Sequence, residues 1–297
     1  MAMKPLGVII NPAANRGRGN QVGDKALAAF AEAGIATTNL SGTSQDDIRA
    51  KVKASANEIS GLVAIGGDGT SQLGVNLAME YSLPLGLVPA GSGNDQVREL
   101  ALSLTDTSAA VANIVGTLEC PREVDVMWVE TDYRKFWSLG SISAGFDALC
   151  AERANRLVWP KGPNSYVAAL FLELPKFKPI AYKVIADGVS REFKAMLCGV
   201  ANVKNFGGGM KISPQSEITD GEVEVFILHE VSRRKLLEIF PKVYKGEHVN
   251  YAEVEIFKAS KVRIENDGFP MTCDGEIIGP APFSVEIRPK GLALLSR

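Results

Sequence analysis

A short apolar run that ends directly in glycines, Leu62-Val63-Ala64-Ile65 followed by Gly66-Gly67-Asp68-Gly69-Thr70, sets the tightest limits on this chain. Four consecutive apolar residues read as a strand covered on both faces, as in a parallel sheet. Three glycines at its carboxyl end let the backbone approach a polyanion and turn its N–H groups inward. A helix predicted over about 71–80 adds the positive end of its dipole. Asp68 puts a carboxylate in the same loop. Beside phosphates that is unfavourable unless a metal, a proton or a donor group intervenes. The loop reads as a cradle for phosphate and Mg2+.

The pattern recurs. Leu85–Val88 is a second apolar strand, and Pro89-Ala90-Gly91-Ser92-Gly93-Asn94-Asp95 leads from it into another helix. Two such loops at the carboxyl ends of neighbouring parallel strands face one crevice, where open α/β sheets bind ligands. Ser92 can donate to a phosphate oxygen, and Asn94 or Asp95 can cap the helix. The spacing is neither the G-x-G-x-x-G fingerprint of dinucleotide folds nor a Walker loop. A first strand, Leu6–Ile10, leads into Asn11-Pro12 and then Asn15-Arg16-Gly17-Arg18-Gly19, read as a loop whose arginines can reach phosphates. A helix over 22–33 stopped by Gly34, a strand over 35–40 and a Ser44-capped helix over 44–60 complete a βαβαβα order. That order implies a parallel sheet with helices on both faces.

Beyond about residue 120 the pattern becomes antiparallel. Strands are predicted at 124–129, 136–142, 180–186, 194–203, 223–228, 254–257, 261–265 and 283–287, with helical islands at 146–157, 165–174 and 232–244. The chain has 297 residues, enough for two domains of ordinary size. The expected division is an α/β nucleotide-binding domain over 1–123 and a mainly antiparallel β-sandwich over 124–289. The final segment, 290–297, is expected to return to the first domain. Hydrophobic residues at 46% and charged residues at 22% exclude a disordered or coiled-coil chain. A net charge of −2 gives no reason to expect a nucleic-acid partner. Four cysteines without a C-x-x-C pair and two histidines argue against a zinc cluster. No run approaches the 18 apolar residues of a membrane span, so a cytoplasmic protein with reduced thiols is expected.

GGDGT followed by P-x-G-[ST]-x-N-D resembles the diacylglycerol kinase catalytic-domain family, which includes bacterial lipid kinases and sphingosine and ceramide kinases. Asn202 with Gly207-Gly208-Gly209-Met210, Pro214, Asp220-Gly221, and Asp274-Gly275-Glu276 extend the resemblance over nearly the whole chain. GGDGT alone is shared with NAD kinases and, in a variant form, with phosphofructokinases, whose nucleotide-binding domain the first domain should resemble. The resemblance implies an ATP-dependent kinase acting on a hydroxyl of a diacylglycerol-like or sphingoid lipid. It places the nucleotide against Asn11, Pro12 and Thr43, across Gly66, Gly67, Asp68, Gly69 and Thr70, and at Ser92, Asn94 and Asp95. It makes Glu276 the general base, with Asp68 a rival base or metal-orienting group. It makes Asp220 a structural Mg2+ ligand, completed by the carbonyls of Glu217 and Glu222. A soluble-substrate kinase of the NAD kinase type and a non-catalytic nucleotide- or lipid-binding regulator are the alternatives.

A lipid substrate requires contact with a membrane surface. Residues 153–178 carry Arg153, Arg156, Lys161, Lys176 and Lys178 with Trp159, Phe171 and Phe177. Residues 231–248 carry Arg233, Arg234, Lys235, Lys242 and Lys245 around an apolar stripe that Pro241 interrupts. Basic residues beside apolar ones suit anionic lipid, so peripheral membrane contact is expected. An open sheet edge in the second domain could also pair between two copies as a homodimer.

Overall fold

The computed structural model describes residues 4–100, 103–160, 163–175 and 177–297. Lys161, Lys176 and the side chain of Arg16 lie outside the described residues. The chain divides into two compact units, Met1–Val124 with Lys290–Arg297, and Asp125–Pro289.

The first unit runs β1 (Leu6–Ile10), α1 (Ala14–Glu32), β2 (Thr37–Asn39), α2 (Gln45–Ser55), β3 (Gly61–Gly66), α3 (Asp68–Tyr81), β4 (Leu85–Pro89), α4 (Asp95–Glu99) and α5 (Thr107–Val115). β1 pairs in parallel with β2 and β3, and β3 with β4. Leu294, from the last segment, pairs in parallel with Leu85. All five residues of β1, all six of β3 and all five of β4 are buried, which explains their unbroken apolar character. Phe30 and Ala26 of α1 and Ile114 of α5 close the core over them.

Three boundaries differ from the sequence reading, one of them the end of α2, which stops at Ser55 and not at 60. Residues 15–19 are not a loop but the opening turns of α1. Asn11 Oδ1 accepts from Ala13 N–H at 3.1 Å, and Asn11 C=O from Ala14 N–H at 3.2 Å, turning the chain into the helix. Gly19 packs on that carbonyl so closely that a Cβ would lie 1.9 Å from its oxygen. Arg18 therefore stands exposed on a helix. β2 is shorter than 35–40 because Ile35 N–H still bonds Phe30 C=O at 2.9 Å, closing the end of α1. Ser44 caps α2 as expected, accepting from Asp47 N–H at 3.1 Å.

The second unit is a mainly antiparallel, sandwich-like domain. Its elements are β5 (Arg122–Thr131), β6 (Lys135–Ser138), β7 (Ser141–Gly145), α6 (Phe146–Arg156), α7 (Pro163–Glu173), β8 (Ile180–Ala186), β9 (Val189–Ala201), β10 (Val223–His229), α8 (Arg233–Val243), β11 (Val254–Ala259), β12 (Lys261–Asn266), β13 (Pro270–Cys273), β14 (Glu276–Pro280) and β15 (Phe283–Leu294). β9 is the pivot. Its first half pairs with β8, and its second half lies between β7 and β10. One core of Val, Ile, Met and Phe side chains fills the strands. A second joins α6, α7 and α8 to the backs of β9 and β10 through Phe146, Leu170, Met196, Leu236 and Ile239.

The predicted strand 136–142 is broken in two at Leu139-Gly140. The cause is remote in sequence. The carboxylate of Asp274 lies over Gly140, where a Cβ would meet its Oδ1 at 1.9 Å, and accepts from Ser141 N–H at 2.9 Å. β13 and β14, which the sequence reading did not place, form the hairpin that carries this aspartate.

Candidate active site

In the first unit, α3 begins at Asp68, immediately after β3. The first N–H groups of a helix have no partners within it, so this turn presents donors and a positive dipole end. The 89–95 loop lies directly against it. Ala90 N–H bonds Gly66 C=O at 2.7 Å, and a Cβ on Gly91 would lie 2.4 Å from Gly67 Cα. Glycine is required at this crossing because two backbones touch there.

Asp68 holds the two loops together. Its Oδ2 accepts from Asn94 N–H at 2.9 Å and its Oδ1 from Asp95 N–H at 2.8 Å. The cap of α4 is thus supplied from α3, not by Asn94 or Asp95. Asn94 instead adopts left-handed φ of 55° and turns its amide back on Gly91, donating and accepting at 2.9 Å. Burial, with the nearby Asp95 carboxylate as second cause, raises the Asp68 pKa to about 6 against the pull of those N–H groups. Arg98 Nε reaches Gly93 C=O at 3.1 Å and stands 3.7 Å from Asp95. Asn11 Nδ2 donates to Thr70 Oγ1 at 3.1 Å, tying the end of β1 to the same turn.

The structure therefore brings Asn11, Gly66, Gly67, Asp68, Gly69, Thr70, Asn94 and Asp95 together, with Ser92 exposed on the loop. Pro12 and Thr43 line an adjoining cleft of about 310 Å3 with Ser41 and Lys51. The half-buried Asp68 and the buried Asp95 put two carboxylates side by side, oxygen donors of the kind a hard divalent cation takes.

In the second unit, Asp274 and Gly275 take φ of 49° and 83°, the tight hairpin turn that Asp-Gly favours. Glu276 follows as the exposed first residue of β14. Glu217, Asp220 and Glu222 share one loop, but the cation on Asp220 is internal. Lys258 Nζ donates to Asp220 Oδ2 and lies 3.5 Å from Glu222, while Asp220 Oδ1 accepts from Glu222 N–H at 3.0 Å. The Glu217 carbonyl faces Asp220 N–H at 3.5 Å. As placed, these groups fit an ammonium and not an open oxygen cage for Mg2+. Among the described residues no group of three or more His, Cys, Asp or Glu could hold a metal ion.

The same unit encloses an almost wholly apolar cavity between α7, α8 and the sheet, with about 70 Å3 free. Tyr166, Leu170, Leu236, Ile239 and Phe240 line it. Among the described residues one carboxylate enters it. Asp147, 4% exposed, accepts from Ser143 Oγ through Oδ2, while its Oδ1 is buried without a hydrogen-bond partner. Burial raises its pKa to about 6. His248 also lines the cavity, its Nε2 3.0 Å from Ile212 C=O, and burial lowers its pKa.

Asp147, Lys258 and Arg98 escaped the sequence reading. Asp147 carried a usable signal, a lone acid inside the apolar run Ala144-Gly145-Phe146-Asp147-Ala148-Leu149. Arg98 carried a weaker one, its i,i+3 spacing from Asp95. Lys258 carried none, because its partner is 38 residues away.

A pair of glycine loops joined by a half-buried aspartate, at the ends of parallel strands, defines a phosphate-binding α/β class of protein, here followed by an antiparallel domain with an apolar cavity. Comparison with known proteins names it. Residues 5–129 match the diacylglycerol kinase catalytic domain, and residues 140–296 match the YegS C-terminal NAD kinase beta sandwich-like domain. A Mycobacterium tuberculosis diacylglycerol kinase is 30% identical over 97% of this chain and 93% of its own. A Bacillus subtilis diacylglycerol kinase is 27% identical over 94% and 92%. The crystal structure of a putative diacylglycerol kinase from Bacillus anthracis shares the fold, with a TM-score of 0.78 at 20% identity over 100% of this chain and 98% of that one. The chain belongs to the diacylglycerol kinase catalytic-domain family, a family of lipid kinases.

Proposed function

We propose that the protein is an ATP-dependent lipid kinase that moves the γ-phosphoryl group to a hydroxyl of a diacylglycerol-like or sphingoid lipid. The observation that carries this reading is the contact between the Gly67 and Gly91 backbones, with Asp68 binding the N–H groups of Asn94 and Asp95. It sets two glycine loops and a helix N-terminus on one small face, as a triphosphate requires. Phosphoryl transfer then needs mainly positioning and charge stabilisation. Asn11, Thr70 and Ser92 orient the nucleotide, with Pro12 and Thr43 on its flank. Asp68 and Asp95 would hold Mg2+, which supplies neutralisation of the phosphate charge. Glu276 takes the proton of the acceptor hydroxyl as its oxygen bonds to the γ-phosphorus and the bond to ADP breaks.

The cavity favours lipid over a soluble acceptor. Its free volume of about 70 Å3 is small beside a long alkyl chain, so such a chain enters only if α7 and α8 part, exchanging one apolar lining for another. Asp147 is its one buried hydrogen-bonding carboxyl among the described residues and suits a donor on the lipid.

The test is labelled ATP with Mg2+ and mixed micelles of diacylglycerol, phosphatidylglycerol, ceramide or sphingosine, with NAD+ as soluble control. A labelled lipid that is lost in Glu276→Gln supports the proposal. Labelled NAD+ would move the protein to the soluble-substrate class. ATP binding with no labelled product from any acceptor would favour a regulator.

A further inference from the structure

We infer that the apolar cavity of the second unit selects lipids with a hydrogen-bond donor beside the hydroxyl that receives phosphate. That donor is a second hydroxyl or an amino group, and Asp147 and His248 receive it. The inference deepens the lipid-kinase reading and rests on it for the identity of the reacting hydroxyl. Two buried acceptors without donors carry it. Asp147 and His248 are 4% and 3% exposed, and both line the cavity. Asp147 Oδ2 is taken by Ser143 Oγ, whereas Oδ1 has no hydrogen-bond partner. His248 Nε2 lies 3.0 Å from Ile212 C=O, and a carbonyl only accepts, so Nε2 carries the proton of the neutral ring. Burial lowers the His248 pKa and so disfavours the charged ring. Nδ1 is then a bare lone pair, and it too is buried without a partner. Tyr166 lines the same cavity, but its hydroxyl reaches neither atom. Buried polar atoms are normally paired, so each of the two carries a penalty that a ligand's donor removes.

The chemistry of these two atoms chooses between lipids. Both accept, and neither donates. The sole donor of a diacylglycerol is the hydroxyl that reacts, and its ester oxygens only accept. Set against Asp147 Oδ1 and His248 Nδ1, an ester leaves both penalties in place and adds lone-pair repulsion. A free hydroxyl or an ammonium, next to the carbon that bears the reacting hydroxyl, supplies the missing donor. An ammonium also offsets the buried charge of the carboxylate. The rest of the lining, Leu170, Leu236, Ile239 and Phe240 among it, offers the lipid only apolar contact. Selection by the polar pair is steep for this reason, since a capped analogue leaves the buried acceptors unpaired.

The test is calorimetric binding of three soluble amphiphiles to the full chain, without ATP. The first is octylglycerol, and the second is the same molecule with its second hydroxyl capped as a methyl ether. The third carries an ammonium in place of that hydroxyl. The wild type should bind the alcohol about tenfold or more tightly than the ether, and the amine more tightly still. Asp147→Leu removes one acceptor at similar volume, and the alcohol-to-ether ratio should fall by about fivefold. Asp147→Asn keeps an acceptor oxygen without the charge, so the amine should lose its advantage over the alcohol. A melting midpoint no lower than the wild type's confirms that each variant is folded. Equal wild-type affinity for alcohol and ether would overturn the inference, since the two acceptors would then be met by retained water. Equal weakening of all three ligands in the folded Asp147 variants would also overturn it, leaving Asp147 a structural group. Labelled ATP separates the two readings. Phosphorylation of alcohol and ether with equal efficiency sinks the inference alone. Donor-selective binding without transfer to any of the three supports the subsite and removes the kinase reading.

Discussion

Asp147→Asn offers a quantitative test of the buried carboxyl in the cavity. The folded-state pKa of Asp147 is raised to about 6, chiefly by burial, from an ordinary value of 3.8. Between those values the folded chain keeps a proton that the unfolded chain has released. Stability therefore falls as pH rises through that window, and the penalty is complete above it. A shift of about two pKa units corresponds to about 3 kcal/mol. Asparagine can still accept from Ser143 Oγ and carries no charge to bury. All three tryptophans, Trp128, Trp137 and Trp159, belong to this unit, so their fluorescence reports its urea unfolding. Near pH 4 the two proteins should be close in stability. At pH 7.5 the variant should be the more stable by up to about 3 kcal/mol. The difference at each pH cancels groups common to both, Asp68 included. Parallel pH dependences, or a variant less stable at pH 7.5, would refute the assignment of a buried carboxylate whose charged form burial disfavours.

Gly91→Ala forces a Cβ to within 2.4 Å of Gly67 Cα, so the loops must separate. Affinity for a nucleotide analogue should drop at least tenfold by calorimetry, with a stability loss of about 1–3 kcal/mol. Asp68 must be ionised to bind the α4 N–H groups and a cation, so turnover should decline as pH falls below about 6. Asp68→Asn should lower kcat by about 10²–10³ and abolish that acid limb in a pH–rate profile. Lys258→Met removes the cation from the partly exposed Asp220, costing at most about 1 kcal/mol in thermal unfolding. Added Mg2+ should then raise the variant's midpoint more than the wild type's.

What the sequence made legible was local. β3 and β4 announced themselves because a parallel strand buried on both faces has little room for polar residues. The glycines after them marked a close backbone approach, though not that the approach was to each other. Ser44 announced a cap because its partner is three residues away. The start of α1 was hidden. Asn, Arg and Gly read as a loop, and only the packing of Gly19 on the Asn11 carbonyl makes a helix of them.

The same division runs through the site. Asp68 looked like a group facing phosphate, whereas its two oxygens also organise a helix that begins 27 residues later. Asp274 sat in a motif that drew attention to Glu276, yet Asp274 itself spans 133 residues to bind Ser141 N–H and break a strand in two. A carboxylate that accepts fixed backbone donors loses the freedom of a proton shuttle, while its exposed neighbour keeps it. On that physical ground we propose Asp68 and Asp274 as positioning groups, with Glu276 as the base. Glu276→Gln should therefore lower kcat with little effect on nucleotide affinity or unfolding midpoint. Asp274→Asn should instead lower the midpoint of the second unit, since it weakens the bond that shapes the β6–β7 break. If Glu276→Gln turned over normally while Asp68→Asn kept full nucleotide affinity and lost all turnover, the division of roles would have to be reversed.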